Sequence, residues 1–138
     1  MGLDCDASIY KKRIFITHEI RQKFVDAKIS LCYDDGSSFR GKSHDIIIDS
    51  ITDHSLYSFL SPYSIEKIYR ELCYFIENNQ EKLQKDEEEK EEIDIRDYVK
   101  DYRESKNEYY MTSLPNLIGL KNFFKICYEN QLYLHPSS

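Results

Sequence analysis

Gly36-Ser37-Ser38-Phe39-Arg40-Gly41-Lys42-Ser43 has the spacing G-x-x-x-x-G-K-[ST], the chain's clearest match to a known chemistry. In a phosphate-binding loop, two glycines let backbone N–H groups converge on phosphate oxygens. The lysine adds a point charge, and the final hydroxyl reaches a magnesium ion. Ile29-Ser30-Leu31-Cys32-Tyr33 reads as a strand before this segment, and the apolar run from Ile46 as a buried element after it. Against a phosphate-loop nucleotide hydrolase stand bulky Phe39 and Arg40 directly before Gly41. No later strand ends in an aspartate for magnesium, and too little chain remains for a parallel sheet. The milder reading is a non-catalytic pocket in which Ser38, Phe39, Arg40, Gly41, Lys42, Ser43 and His44 hold a small anionic, nucleotide-like ligand. The blandest reading is a glycine-shaped turn with solvated charges.

A second constellation is the acidic run Lys85-Asp86-Glu87-Glu88-Glu89-Lys90-Glu91-Glu92. Residues 63–110 hold nine Lys or Arg against fifteen Asp or Glu, which is the whole net charge of −6. A charge run is by default a solvated face. Beside it, Tyr98 and Tyr102 have the helical spacing of core residues, whereas Tyr109-Tyr110 does not, and tyrosine is enriched at binding hot spots. Glu87, Glu88, Glu89, Tyr109 and Tyr110 are therefore the partner-binding candidates of an alternative reading. In it, segment 85–110 is the acidic surface of a protein–protein inhibitor or immunity protein. With no basic stripe, direct binding to a nucleic-acid backbone is not expected.

Other chemistry is thin. Cys5, Cys32, Cys73 and Cys127 are widely spaced within apolar patterns, so they read as buried free thiols and not as a zinc or redox set. His18, His44, His54 and His135 have no metal-ligand spacing. No G-x-S-x-G elbow, H-E-x-x-H motif or Cys-His pairing occurs. No catalytic residue, metal or cofactor is expected.

Met1-Gly2-Leu3-Asp4 and Ser38-Phe39-Arg40-Gly41, with an apolar helix leading into a short strand near the end, resemble a group of small uncharacterised prokaryotic and phage proteins. The resemblance implies that Ser38 to Lys42 recurs in such proteins as something other than a true phosphate loop. It carries over no catalytic residue.

These candidates need elements to position them, and the length of 138 residues suits one domain with a real core. Twelve Tyr and seven Phe argue against global disorder. No apolar run approaches the ~20 residues of a membrane span, and no signal-peptide stretch opens the chain, so the expected location is cytoplasmic. Leu3, Cys5, Ala7 and Ile9 alternate with polar neighbours, as a half-buried strand does. Thr17 can cap a helix with Ile20, Phe24 and Ala27 inward. Residues 46–51 fit a buried strand or, better, a helix capped by Ser43 with Asp45 in its first turn and Ile47, Ile48 and Ile51 inward.

Ser61-Pro62 is a strong helix start, followed by Ile65, Ile68, Tyr69, Leu72, Phe75 or Ile76, and Leu83 at helical spacing. Residues 80–95 form an acidic helical or mobile segment. Either one long helix kinks near Glu92, or two helices form a hairpin whose turn is the acidic run. A new helical face then starts at Ile95, Tyr98, Val99 and Tyr102, capped by Asp94. Ser113 caps a last helix with Leu117, Leu120, Phe124 and Cys127 inward, and Leu132-Tyr133-Leu134 is a closing edge strand. The fold expected is α+β, a small sheet with three or four helices. The function expected is a non-catalytic binding protein of phage or mobile-element type. Its partner is a small anionic ligand or a host or phage protein, with no membrane contact and with homo-oligomers left open.

Overall fold

The computed structural model describes residues 3–9, 16–32, 36–100 and 110–137. Strand β1, Asp4–Ser8, sits at the centre of a three-stranded antiparallel sheet, between β2 (Ser38–Arg40) and β5 (Tyr133–Ser137). Its expected alternation holds from Leu3 to Ala7, with Leu3, Cys5 and Ala7 buried, and breaks at the end, where Ser8 is buried and Ile9 half-buried. Cys5 stands opposite Phe39 on one side and Pro136 on the other. Proline in β5 fits an edge strand, because it has no N–H to donate to a further neighbour. Both edges are partly closed. Leu60 and Leu134 exchange two backbone hydrogen bonds at 3.0 Å each, and Cys32 bridges Phe39 beyond β2. Short or covered edges leave little for another chain to pair with.

The helices are α1 (His18–Ala27), α2 (Asp45–Thr52), α3 (Pro62–Asn78), α4 (Gln80–Lys90) and α5 (Leu114–Glu129). The described residues are thus α+β with five helices, more than the three or four expected. A two-stranded ladder pairs β3 (Ile93–Asp94) with β4 (Met111–Thr112).

Three helix starts match their sequence signals. Thr17 Oγ1 accepts from the Ile20 N–H at 3.2 Å, Ser61 Oγ from Ser64 at 3.3 Å, and Ser113 Oγ from Asn116 at 3.2 Å. Each satisfies one of the N–H groups a helix start leaves open. On α1 only Phe24 is buried; Ile20 is half-buried and Ala27 exposed. α3 buries Ile65, Ile68, Leu72 and Phe75, while α5 buries Leu117, Leu120, Phe123, Phe124 and Cys127. These two stripes pack on each other and on the sheet, with Phe24, Phe39, Phe123 and Phe124 filling the largest volumes. A smaller cluster of Ile46, Ile47, Phe75, Leu83, Ile93, Ile95, Tyr110 and Leu117 joins α2, α4 and the β3–β4 ladder to the ends of α3 and α5.

Four expectations are corrected. Residues 46–51 are indeed helical, but the cap position of α2 is His44, which makes no side-chain cap bond, and not Ser43. Ile29 to Cys32 form no strand, since Cys32 makes a single isolated bridge. Tyr33 lies outside the described residues. The kink in the long helical region falls at Asn79, and beside Glu92 the helix does not kink but ends, at Lys90 with Glu91 left-handed (φ 57°). Asn79 leaves helical geometry (φ −118°, ψ 17°) and its Nδ2 donates to the Phe75 carbonyl at 2.8 Å. Asparagine offers the backbone this local alternative, and that is why it interrupts helices. Most of the acidic run, Lys85 to Lys90, is therefore helical, and only Glu91 and Glu92 lie past the helix end. Beyond it, Asp94 does cap, but what it caps is one 3₁₀ turn, Ile95–Asp97, and not a new helix. Tyr102 lies outside the described residues.

Candidate functional site

The glycine-framed segment is folded into the core. Gly36 has φ 75°, and a Cβ there would stand 2.9 Å from the backbone of Phe24, so both conformation and space call for glycine. The Ser37 carbonyl accepts from the Ala7 N–H at 3.0 Å, and Ser38, Phe39 and Arg40 continue into the ladder with β1. Ser38 is buried, and Phe39 is wholly buried, meeting the Phe123 ring edge-on with centroids 4.9 Å apart. Gly41 turns the chain against β1: its N–H donates to the Leu3 carbonyl at 2.7 Å, and a Cβ would lie 2.6 Å from Cys5 Sγ. The His44 N–H donates back to Gly41 at 3.0 Å.

A phosphate loop needs N–H groups that are free to converge on an anion. Here the N–H groups of Gly41 and His44 are already spent on carbonyls. The start of α2 also carries its own anion. Asp45, 1% exposed, accepts from the Leu56 N–H at 2.7 Å and from Ser55 Oγ at 3.2 Å. That carboxylate answers the helix dipole from within and would repel a second anion. Burial, and then the charges of Asp6, Asp45 and Asp4, push the Cys5 thiol up to about 12, which leaves it an inert core group. Burial also lowers the pKa of His44, whose ring lies against Phe39.

Of the seven candidate ligand-binding residues, Ser38, Phe39 and Gly41 are thus interior, and Lys42, Ser43 and His44 are half-buried. Arg40 alone is exposed.

The acidic segment divides in two. Helix α4 is polar almost all round and is anchored by one apolar side chain, Leu83, which is fully buried. Polar contacts supply the rest. Asp86, 9% exposed, accepts from the Tyr98 hydroxyl at 2.6 Å and pairs with Lys90 at 3.9 Å. Burial and the Asp86 carboxylate together raise the Tyr98 pKa, so that phenol stays a donor. Lys82 Nζ lies 4.2 Å from the centroid of the same ring. Glu87 accepts from the Leu114 N–H at 3.0 Å, so a carboxylate of α4 caps the first turn of α5. Asp86 and Glu87 hold the helix down, whereas Glu88, Glu89, Glu91 and Glu92 are exposed.

Two partner-binding candidates change role. Glu87 is half-buried and engaged inside the molecule. Tyr110 is 5% exposed, part of the smaller core cluster, with the Arg96 guanidinium 4.6 Å from its ring centroid. Neither is available as a surface anchor. Tyr109 lies outside the described residues.

Sequence reasoning missed a neighbouring feature. Ile76, Leu83, Leu114 and Ile118 line a shallow dimple of about 220 Å³ between the end of α3, α4 and the start of α5, together with Gln80 and Gln84. Ile76, Gln80, Leu83 and Gln84 recur at helical spacing across the Asn79 kink, and Leu114 and Ile118 of α5 close the other side. Gln80 and Gln84 also line a more open depression over the α4 surface with Glu81, Lys85 and Glu88. Among the described residues no three His, Cys, Asp or Glu side chains gather as a metal site requires. No described helix is long and apolar enough to cross a membrane.

No family model, curated protein or solved structure matches the chain.

Proposed function

We propose that this is a non-catalytic binding protein whose working surface is the exposed acidic end of α4 and the two residues after it, and that it docks a basic host or phage protein. The observation that carries this reading is the division of the acidic run. Asp86 and Glu87 fasten α4 to Tyr98 and to α5, so Glu88 and Glu89 are presented from a held helix, with Glu91 and Glu92 exposed just past its end. A held, mainly acidic array, interrupted by Lys90 paired to Asp86, steers a basic partner and loses less side-chain and backbone entropy on binding than a loose one.

The test is a pull-down from the native host with wild type and with a variant carrying Gln at positions 88, 89, 91 and 92. Glutamine keeps the helix propensity and removes the charge. The expected result is a basic partner recovered by wild type and lost by the variant, with an association rate that falls steeply as salt rises. Recovery of the same partner by both proteins would leave the acidic run as a solvated face.

The anion-binding reading, the first expected from the sequence, becomes second. It is favoured by one observation: the side chains of Arg40 and Lys42 make no hydrogen bond or ion pair among the described residues.

A further inference from the structure

The dimple bounded by Ile76, Leu83, Leu114 and Ile118 adjoins the acidic face and shares Gln80 and Gln84 with the depression above α4. Its volume of about 220 Å³ falls below the roughly 300–1,000 Å³ of small-molecule pockets. It is the size of a socket for one side chain. Ile118 on its wall is 37% exposed, while Leu83 within it is fully buried, so the site grades from a dry interior to an open mouth. Glu77 is the charged residue lining the dimple itself, and Glu81 and Glu88 against Lys85 line the depression that adjoins it at Gln80 and Gln84. Apolar lining with a mostly acidic surround is complementary to one bulky apolar side chain flanked by Lys or Arg.

Resting on the acidic-face reading above, we infer that the partner is bound through a short basic segment with one Leu, Ile, Met or Phe. That side chain seats in the dimple while its Lys or Arg neighbours lie along Glu81 and Glu88. Binding hot spots are commonly of this form, an apolar anchor in a desolvated pocket ringed by polar contacts. The charges set the encounter rate and the anchor sets the residence time.

Selection of wild-type protein against a displayed random dodecapeptide library tests this. The enriched peptides are expected to combine Lys or Arg with one bulky apolar residue, and changing that residue to Ala should weaken binding about tenfold or more, the scale of burying one such side chain. Two variants act on the dimple from opposite directions, Ile118→Ser by removing its wall and Gln80→Trp by filling its mouth. Both residues are exposed, and folding is checked by circular dichroism. Each variant should abolish the difference between parent and Ala peptides while leaving the salt-dependent binding of the Ala peptide in place. Basic peptides without an apolar requirement, sensitive only to Gln at 88, 89, 91 and 92, would overturn the dimple and keep the acidic face. Enriched peptides indifferent to all these changes, or no enrichment at all, would overturn both.

Discussion

Segments 36–44 and 80–92 both carry charge at spacings that suggest a site, and the fold treats them in opposite ways. In the first, the features that suggested chemistry are consumed by packing: Gly36 clears the backbone of Phe24, Gly41 clears Cys5, and Phe39 fills space beside Phe123. In the second, Lys82, Asp86, Glu87 and Lys90 are engaged within the molecule, while Glu88, Glu89, Glu91 and Glu92 stay at the surface. The difference lies in apolar content. A short segment carrying a phenylalanine between glycines is drawn inward, because burying that ring removes more apolar surface from water than the loop's polar groups lose. An eleven-residue helix whose single core contact is Leu83 has nothing else to bury, so most of its charge stays at the surface.

The comparison breaks most sharply at Phe39. Phe39→Ala should cost about 3–5 kcal/mol of folding stability, the usual range for removing a fully buried aromatic ring. Urea unfolding should show a lower midpoint at unchanged slope. A variant as stable as wild type would mean that Phe39 is free to contact a ligand and that segment 36–44 is not core.

Glu87 sharpens the division inside α4. Glu87→Ala removes the acceptor for the Leu114 N–H at the start of α5 and should destabilise by about 0.5–2 kcal/mol. Glu89→Ala, on the exposed side, should stay within about 0.5 kcal/mol of wild type. Equal losses in thermal unfolding would remove the distinction between fastening and presenting acids.

The smallest stability effect belongs to the charges that segment 36–44 retains. Arg40→Ala combined with Lys42→Ala should change stability by no more than about 0.5 kcal/mol, because neither side chain has a partner among the described residues. Any rise in melting temperature produced by nucleotides or cyclic nucleotides in wild type should vanish in this variant if the second functional reading holds. A nucleotide-induced shift that survives the double change would place the ligand elsewhere.

What could be read from the chain alone was what neighbouring residues decide among themselves. Thr17, Ser61-Pro62 and Ser113 each act on an N–H three residues away, so their helices were visible without knowledge of the fold. The alternation of Leu3, Cys5 and Ala7 and the stripe of Leu117, Leu120, Phe124 and Cys127 likewise report which face of a strand or helix is apolar. What that face meets is not a local property. Ile29 and Leu31 carry a strand's alternation, yet they pack on α5 beside Gly119, where a Cβ would stand 2.9 Å from Leu31 Cδ2, and only Cys32 finds a bridge partner. A strand exists only where another backbone lies alongside it, and that depends on distant sequence. The same holds for both sites. Whether Phe39 points to solvent or to Phe123, and whether Glu87 is a surface charge or the cap of α5, is decided by residues far along the chain. The dimple likewise needs α5, distant in sequence, to bring Leu114 and Ile118 against Ile76 and Leu83. Short-range hydrogen bonds write themselves into neighbouring letters, whereas burial is settled only when the whole chain has closed around it.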